Sequence, residues 1–346
     1  MILFHNDYNE ICHPSILQAM VQSAPIQYPG YGIDPYCEKA AEKIKKLCCN
    51  DNLSVHFLVG GTQTNLTVIA AALRPYQGVL CADSGHINVH ETGAIEATGH
   101  KVLALPSADG KVYAEQLLQT VESQSAAMDA EHTVQPKMVY ISNPTEMGTV
   151  YTLCELEQIH TVCKEKNLLL FLDGARLGYG LTAQGNDVTM ADLARLCDVF
   201  YIGGTKVGAM FGEAVVISNQ TLAEDFRYMI KQRGGMLAKG WLLGLQFDVL
   251  FDNDLYFEIS AHANRMAQQI RQTLHELNVP MLVETITNQL FPILPDKVLA
   301  KLAKGFMFND MGRVDDSHSA IRFCTSWATT QENVDALCKA LVNDCR

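Results

Sequence analysis

Short unbroken apolar runs alternate, through the first two-thirds of the chain, with segments whose apolar positions recur at helical spacing. The runs 55–59, 79–82, 102–105, 138–142, 168–172, 199–202 and 214–218 predict strands. The segments 63–73, 89–98, 114–123, 153–165 and 190–197 predict helices; in 153–165, Leu156, Ile159 and Cys163 fall on one helical face. Strands that are apolar throughout are buried on both sides. The alternation therefore predicts an α/β fold, a mostly parallel, doubly wound sheet with helices on both faces. Residues 123–136 are polar and irregular and read as a surface loop.

After 252–254 the pattern changes. Leu255, Ile259, Ala263, Met266, Ile270, Leu274 and Leu277 recur every three or four positions and predict a long helix. Strands at 281–284, 290–294, 305–308 and 321–324 and helices at 296–304 and 331–342 follow. This is the pattern of a compact α+β cap. It suggests a large domain, 1–250, that includes the N-terminal segment, and a small C-terminal domain, 251–346.

The 346 residues, 48% hydrophobic and 18% charged, suffice for a large globular core beside a smaller one. A net charge of -12 argues against nucleic acid or an anionic membrane surface as partner. No apolar stretch approaches the about 20 residues of a membrane helix, and the N-terminus lacks the basic and apolar regions of a signal peptide. The 11 cysteines are odd in number and contain no C-x-x-C pair, and the adjacent Cys48 and Cys49 are poorly placed to bridge each other. Reduced thiols in a cytoplasmic protein are the expectation.

Ligands of open α/β sheets bind outside the carboxyl ends of the strands. The residues just beyond each apolar run are therefore the candidates. Lys206 follows the run 199–202 across Gly203-Gly204-Thr205, and Asp173-Gly174-Ala175-Arg176 follows the run 168–172. An acid, an arginine and a lysine at one edge point to pyridoxal 5′-phosphate (PLP), which needs a lysine for its aldehyde and a partner for its pyridine nitrogen. Asp173 can keep that nitrogen protonated, with Arg176 as its ion-pair partner. The plainer reading makes Asp173 a helix cap, Arg176 a surface ion and Lys206 a solvated turn residue. Gly60-Gly61-Thr62-Gln63 follows a strand and opens a helix, where free amides and the helix dipole favour an anion. The run is neither a dinucleotide fingerprint nor a P-loop, and its plainer reading is a tight turn with a threonine cap. Thr205 could also reach a phosphate.

His86 lies beyond the run 79–82 and could stack on a cofactor ring or move protons; a packed or capping histidine is the alternative. His86 and His90 have i, i+4 spacing but lack the glutamate of a zinc helix and a third ligand, so no metal is expected. Arg322, inside the run 321–324, wants a carboxylate, either a substrate's or one in its own domain.

Tyr31-Gly32-Ile33-Asp34-Pro35, Gly60-Gly61-Thr62, the segment 84–94, Asp173-Gly174-Ala175-Arg176, Lys206 and Arg322 together carry a resemblance that spans nearly the whole chain. The chain resembles the low-specificity threonine aldolases, within the aromatic amino acid β-eliminating lyase/threonine aldolase group of fold-type-I PLP enzymes. The resemblance implies that Lys206 carries PLP covalently, Asp173 meets the pyridine nitrogen, and His86 stacks on the ring. Gly61 and Thr62 would hold the phosphate. Arg176, beside the cofactor, would hold the substrate carboxylate with Arg322 and with Asn6, where the family commonly has serine. It implies a homodimer or homotetramer with interfacial sites, Tyr31 serving the neighbouring subunit. The implied activity is cleavage of a threonine-like β-hydroxy-α-amino acid to glycine and an aldehyde.

The chain departs from the family pattern twice. Asn143-Pro144-Thr145-Glu146 stands where many members have an Asn-Thr-His-type run, and Leu237 stands near the place of an arginine that Arg233 or Lys239 would replace. His86, Glu91 or an ordered water thus remain candidate bases. β-Elimination on a related amino acid remains an alternative reaction, and a non-catalytic protein that keeps the PLP fold is a third reading.

Overall fold

The structure is a computed structural model and describes residues 1–345. After a two-residue strand β1 (Ile2–Leu3), seven strands form the central sheet: β2 (Ser54–Leu58), β3 (Gln77–Ala82), β4 (Val102–Leu105), β5 (Gln135–Ser142), β6 (Leu169–Asp173), β7 (Val199–Gly203) and β8 (Glu213–Ile217). Their order is β2-β8-β7-β6-β5-β3-β4. Only β8 runs against its neighbours, β2 and β7; the other pairs are parallel. The connection 204–212 between β7 and β8 is shorter than the roughly dozen residues a parallel crossover requires, so β8 must return antiparallel. Every residue of β7 and β8 is buried, as unbroken apolar runs require.

Most expected helices form, with Leu153–Glu165 matching its expected bounds. The helix expected over 89–98 does not. A single turn, His86–Val89, gives way to a 3-10 turn at Glu96–Thr98. Between them Thr92 (φ 52°) and Gly93 (φ 72°) adopt left-handed backbone, which stops an α-helix. The loop expected over 123–136 is shorter, because the helix Ala114–Ala126 runs into it and β5 begins at Gln135. The helix Pro35–Leu47 starts with Asp34 accepting from the amides of Tyr36 and Cys37. The helix Trp241–Leu250 buries six of its ten residues and so shows little helical periodicity.

Beyond the long helix Leu255–Glu276 lie β9 (Gln289–Leu290), β10 (Ile293–Pro295), β11 (Phe306–Met307), β12 (Asn309–Arg313) and β13 (His318–Cys324). β13 pairs antiparallel with β9, β10 and β12. The strand expected at 281–284 shrinks to one bridge, Met281 to Pro292. β12 is mostly exposed and polar, so no apolar run announced it. Phe4, Ile270, Leu294, Phe323 and Leu337 share an apolar cluster here, apart from the two clusters that flank the central sheet. β1 pairs in parallel with β11, so the chain's first residues pack on the C-terminal part. Residues 5–8 then lead back toward the carboxyl edge of the central sheet.

Candidate active site

Glycines bring the two key loops together. Gly203 donates its amide to the Gly174 carbonyl at 2.9 Å. A Cβ on Gly203 would lie 2.3 Å from the Ala175 carbonyl oxygen, and one on Gly174 would lie 2.0 Å from that of Tyr201. Only glycine permits this approach, which sets the end of β6 against the end of β7. The resulting cavity, about 300 Å³, is lined by Gly60, Gly61, Thr62, His86, Asp173, Arg176, Thr205 and Lys206, together with Tyr8, Ser142, Glu146 and Glu213. Eight candidates named from the sequence meet there.

Asp173 is buried and well supplied with donors. Its Oδ2 accepts from the Tyr140 hydroxyl and from Asn65 Nδ2 at 3.3 Å, and its Oδ1 accepts from the Ala175 amide at 2.9 Å. The N-cap of the following helix is Arg176, so capping is not what Asp173 does. Lys206 has its ammonium pKa lowered, first by burial and then by the Arg176 charge, against the pull of Asp7, Asp173 and Glu213. A lysine that loses its proton more readily is a better nucleophile. His86 lies on the wall with its Nδ1 2.7 Å from Glu91 Oε1, and the Glu91 side chain is wholly buried.

Arg176 forms its ion pair with Asp7, not with Asp173. Its Nε and Nη2 reach Asp7 Oδ2 and Oδ1 at 2.7 and 3.0 Å. Burial alone would raise the Asp7 pKa, but Arg176 and Lys206 more than offset it and hold the carboxyl below its ordinary value. The forked geometry is the reason: a carboxylate that accepts two guanidinium hydrogen bonds outcompetes one already saturated by Tyr140, Asn65 and a backbone amide.

Thr205 is likewise engaged. Its hydroxyl donates to Glu213 Oε1 at 3.0 Å and accepts from the Gly212 amide at 3.0 Å. Burial pushes the Glu213 carboxyl up to about 8; Lys206 and the Thr205 hydrogen bond oppose the rise and Asp173 adds to it. The folded chain therefore keeps this proton to higher pH than the unfolded chain. Its contribution to stability is full below the ordinary carboxylate range and is lost as pH rises through about 8. Thermal scans of cofactor-free Glu213→Gln should show a flatter decline of midpoint between about pH 5 and 8 than the parent chain. Equal slopes would mean that Glu213 is ionised throughout.

Arg322 has no carboxylate partner among the described residues. Its Nη1 reaches Gln289 Oε1 and its Nη2 the His5 carbonyl, both at 3.2 Å. Arg322 Nε and Gln289 Nε2 are buried donors without acceptors. The alternative of a salt bridge within its own domain is thus excluded. Asn6 is buried beside the same stretch, its Nδ2 2.7 Å from His5 Nε2 and its Oδ1 accepting from the Tyr8 amide.

Tyr31 lies elsewhere. It is 47% exposed in a left-handed turn, lines a separate cavity of about 160 Å³ with Arg227 and Met236, and has Lys231 4.9 Å from its ring. Within one chain it does not join the Lys206 cavity.

Sequence reasoning missed Asp7, Glu213 and Tyr140. Glu213 had a signal: an acid opening a buried strand needs a local partner. Asp7 had none, being 169 positions from Arg176.

The cavity fits PLP. The amides of Gly61, Thr62 and Gln63 precede the first intrahelical bond, from Thr64 to Gly60, and so remain for a phosphate. A Cβ on Gly60 would meet only open space, leaving room for a ligand. Asp173, Lys206 and His86 would supply the remaining contacts the cofactor needs. No metal-binding group of three His, Cys, Asp or Glu occurs among the described residues, and no helix there is long and apolar enough to cross a membrane.

Residues 12–296 match the model of a family described as beta-eliminating lyase. A low specificity L-threonine aldolase from a Pseudomonas species is 31% identical over 340 residues, covering 96% of this chain and 94% of that protein. The solved structure of a threonine aldolase from Leishmania major superposes with a TM-score of 0.97 at 45% identity, covering all of both chains. An aspartate aminotransferase mutant from Thermus thermophilus, 15% identical with a TM-score of 0.72 over 99% of this chain and 91% of its own, shares the fold.

Proposed function

This chain belongs to the beta-eliminating lyase family, and from that premise we propose that it is a PLP-dependent lyase cleaving threonine-like β-hydroxy-α-amino acids to glycine and an aldehyde. The fold is that of the fold-type-I PLP enzymes. The names of the Pseudomonas and Leishmania relatives support the substrate class. The observation that carries the reading is Arg322, a half-buried cation without a carboxylate among the described residues, its buried Nε and the neighbouring Gln289 Nε2 both lacking acceptors. An amino acid's α-carboxylate satisfies both.

PLP, when bound, supplies the sink for the electron pair released from the Cα–Cβ bond. Lys206 offers an amine whose proton is held weakly. Asp173, fixed by three donors, would meet the ring nitrogen. His86, fixed by Glu91, would cover the ring face. The amides of residues 61–63 and the Thr62 hydroxyl would receive the phosphate. Arg233 stands near the same helix start: Gln63 Nε2 donates to its backbone carbonyl at 3.2 Å, and its Nε is buried without a partner. Arg322 and Gln289 fix the substrate carboxylate, which orients the Cα–Cβ bond; such positioning is worth about 7–11 kcal/mol when geometry is well matched. Arg176, neutralised by Asp7, holds the N-terminal segment and Tyr8 against the cavity.

Arg322→Ala should lower kcat/KM for L-threonine by about 2–5 kcal/mol, or roughly 30- to 5,000-fold, while PLP uptake is preserved. Arg322→Lys should restore little, because an ammonium cannot reproduce the fork. A variant with parental kcat/KM would remove the basis of the reading.

We further propose that the site is completed in a homo-oligomer, Tyr31 serving a neighbouring copy. Exposed Leu17, Val21, Ile26 and Ile33 near Tyr31 in sequence support this. All eleven cysteines are free, which supports a reducing, cytoplasmic setting. The division near residue 250 is kept as the boundary between the cofactor-binding part and a small domain contributing Arg322.

A further inference from the structure

Cleavage of a β-hydroxy-α-amino acid begins with loss of the hydroxyl proton, so a base must stand where the substrate's β-carbon lies. That place is beside the carboxylate clamp of Arg322 and the amine of Lys206. Glu91 is spent, because its Oε1 accepts from Asn65 Nδ2 and meets His86 Nδ1, both at 2.7 Å, and its side chain has no exposed surface. Glu146 lines the cavity, but its Oε1 accepts from the Ser142 hydroxyl at 2.7 Å and from the His86 amide at 3.0 Å. Burial, with the Asp173 charge adding to it, raises its pKa, so it holds a proton more firmly than a free carboxyl. His86 has its Nδ1 tied to Glu91 and its ring on the cavity wall.

His90 is different. It closes the helical turn that His86 opens, its amide bonding to the His86 carbonyl at 2.9 Å, so both side chains leave one face. The two rings stand 5.5 Å apart, tilted by 59°. Neither His90 ring nitrogen has a hydrogen-bond partner among the described residues. Burial, His86, Arg322 and Lys206 lower its pKa in that order. The charged groups whose fields act on it are His86 from its own turn, Arg322 from β13 and Lys206 from the β7–β8 hairpin. His90 is an exposed residue, and its ring stands beside that of His86, which lines the cavity.

We propose that His90 is the general base that takes the β-hydroxyl proton of the substrate, a role that rests on the reading of this chain as a β-hydroxy-α-amino acid lyase. One ring nitrogen accepts the proton, the oxygen's freed pair forms the aldehyde carbonyl, and the Cα–Cβ pair stays with Cα. A proton then returns to Cα to give glycine, so the reaction needs no water and releases no net proton.

The test uses the PLP-loaded enzyme and its His90→Asn and His90→Ala variants. The turnover number for L-threonine should fall by about 10²–10⁴-fold in both, and added imidazole should partly restore cleavage in His90→Ala. Glycine has no hydroxyl, so its affinity, read from the change in the cofactor's visible absorption, should not move. The acid limb of kcat/KM should lie below the ordinary histidine range in the parent and disappear in His90→Asn. A proton NMR titration of the imidazole, assigned by its absence in the variant, should give the same midpoint. Parental turnover with the acid limb intact in His90→Asn would overturn the proposal alone. Joint loss of glycine binding and cleavage would overturn it in favour of a positioning role. If the parent enzyme itself releases no aldehyde from any β-hydroxy-α-amino acid, the functional reading fails first and the base role with it.

Discussion

Lys206→Ala is expected to remove the visible absorption that PLP gives to the purified protein and to cut threonine cleavage by on the order of 10⁴–10⁶-fold, the scale at which loss of a covalent catalytic group is felt. The reason lies in where this lysine stands. Burial and Arg176 weaken its hold on a proton, while Asp7, Asp173 and Glu213 keep it within a cluster of balancing charge. Among the described residues no other lysine lines the cavity, so no second amine is at hand. Absorption spectra with added PLP, and single-turnover assays with L-threonine, check both halves. Retention of the band would point to noncovalent binding, and retention of turnover would remove Lys206 from the mechanism.

The largest expected loss of stability follows Asp7→Ala. The substitution leaves the Arg176 guanidinium buried without its carboxylate and leaves Asn288 Nδ2 without one of its acceptors. Breaking such a pair costs about 3–5 kcal/mol, read as a lowered urea midpoint at unchanged slope. The folded Asp7 pKa is depressed, so its contribution is present above the ordinary aspartate value and is lost as pH falls through the folded one. The gap between parent and variant should therefore close in acid. Activity should fall as well, because Asp7 anchors the segment that carries Tyr8 into the cavity. A midpoint within about 0.5 kcal/mol of the parent would show that Arg176 is satisfied without it.

The central sheet was legible because its inner strands are apolar at every position, a pattern only double-sided burial explains. Asp173 and Lys206 were legible for the same reason: each lies at or just beyond such a strand. Features that depend on closure of the chain were not. Asp7 and Arg176 meet from distant positions, and the Thr205 hydroxyl turns to Glu213 because β8 folds back on β7. The segment 89–98 carried enough apolar residues to read as a helix, yet Thr92 and Gly93 break it. That break limits the helix to one turn and ends it at His90, so the interrupted helix and the candidate base are one feature. Arg322 was open to two readings from sequence, and only the absence of a carboxylate beside it among the described residues separates them.

The most direct measurement is of products: the PLP-loaded protein incubated with L-threonine and with L-allo-threonine, with glycine, aldehyde, ammonia and 2-oxo acid quantified together. The expected result is glycine and acetaldehyde in equal amounts, without ammonia. Ammonia with 2-oxobutanoate, or no consumption of either amino acid, would contradict it.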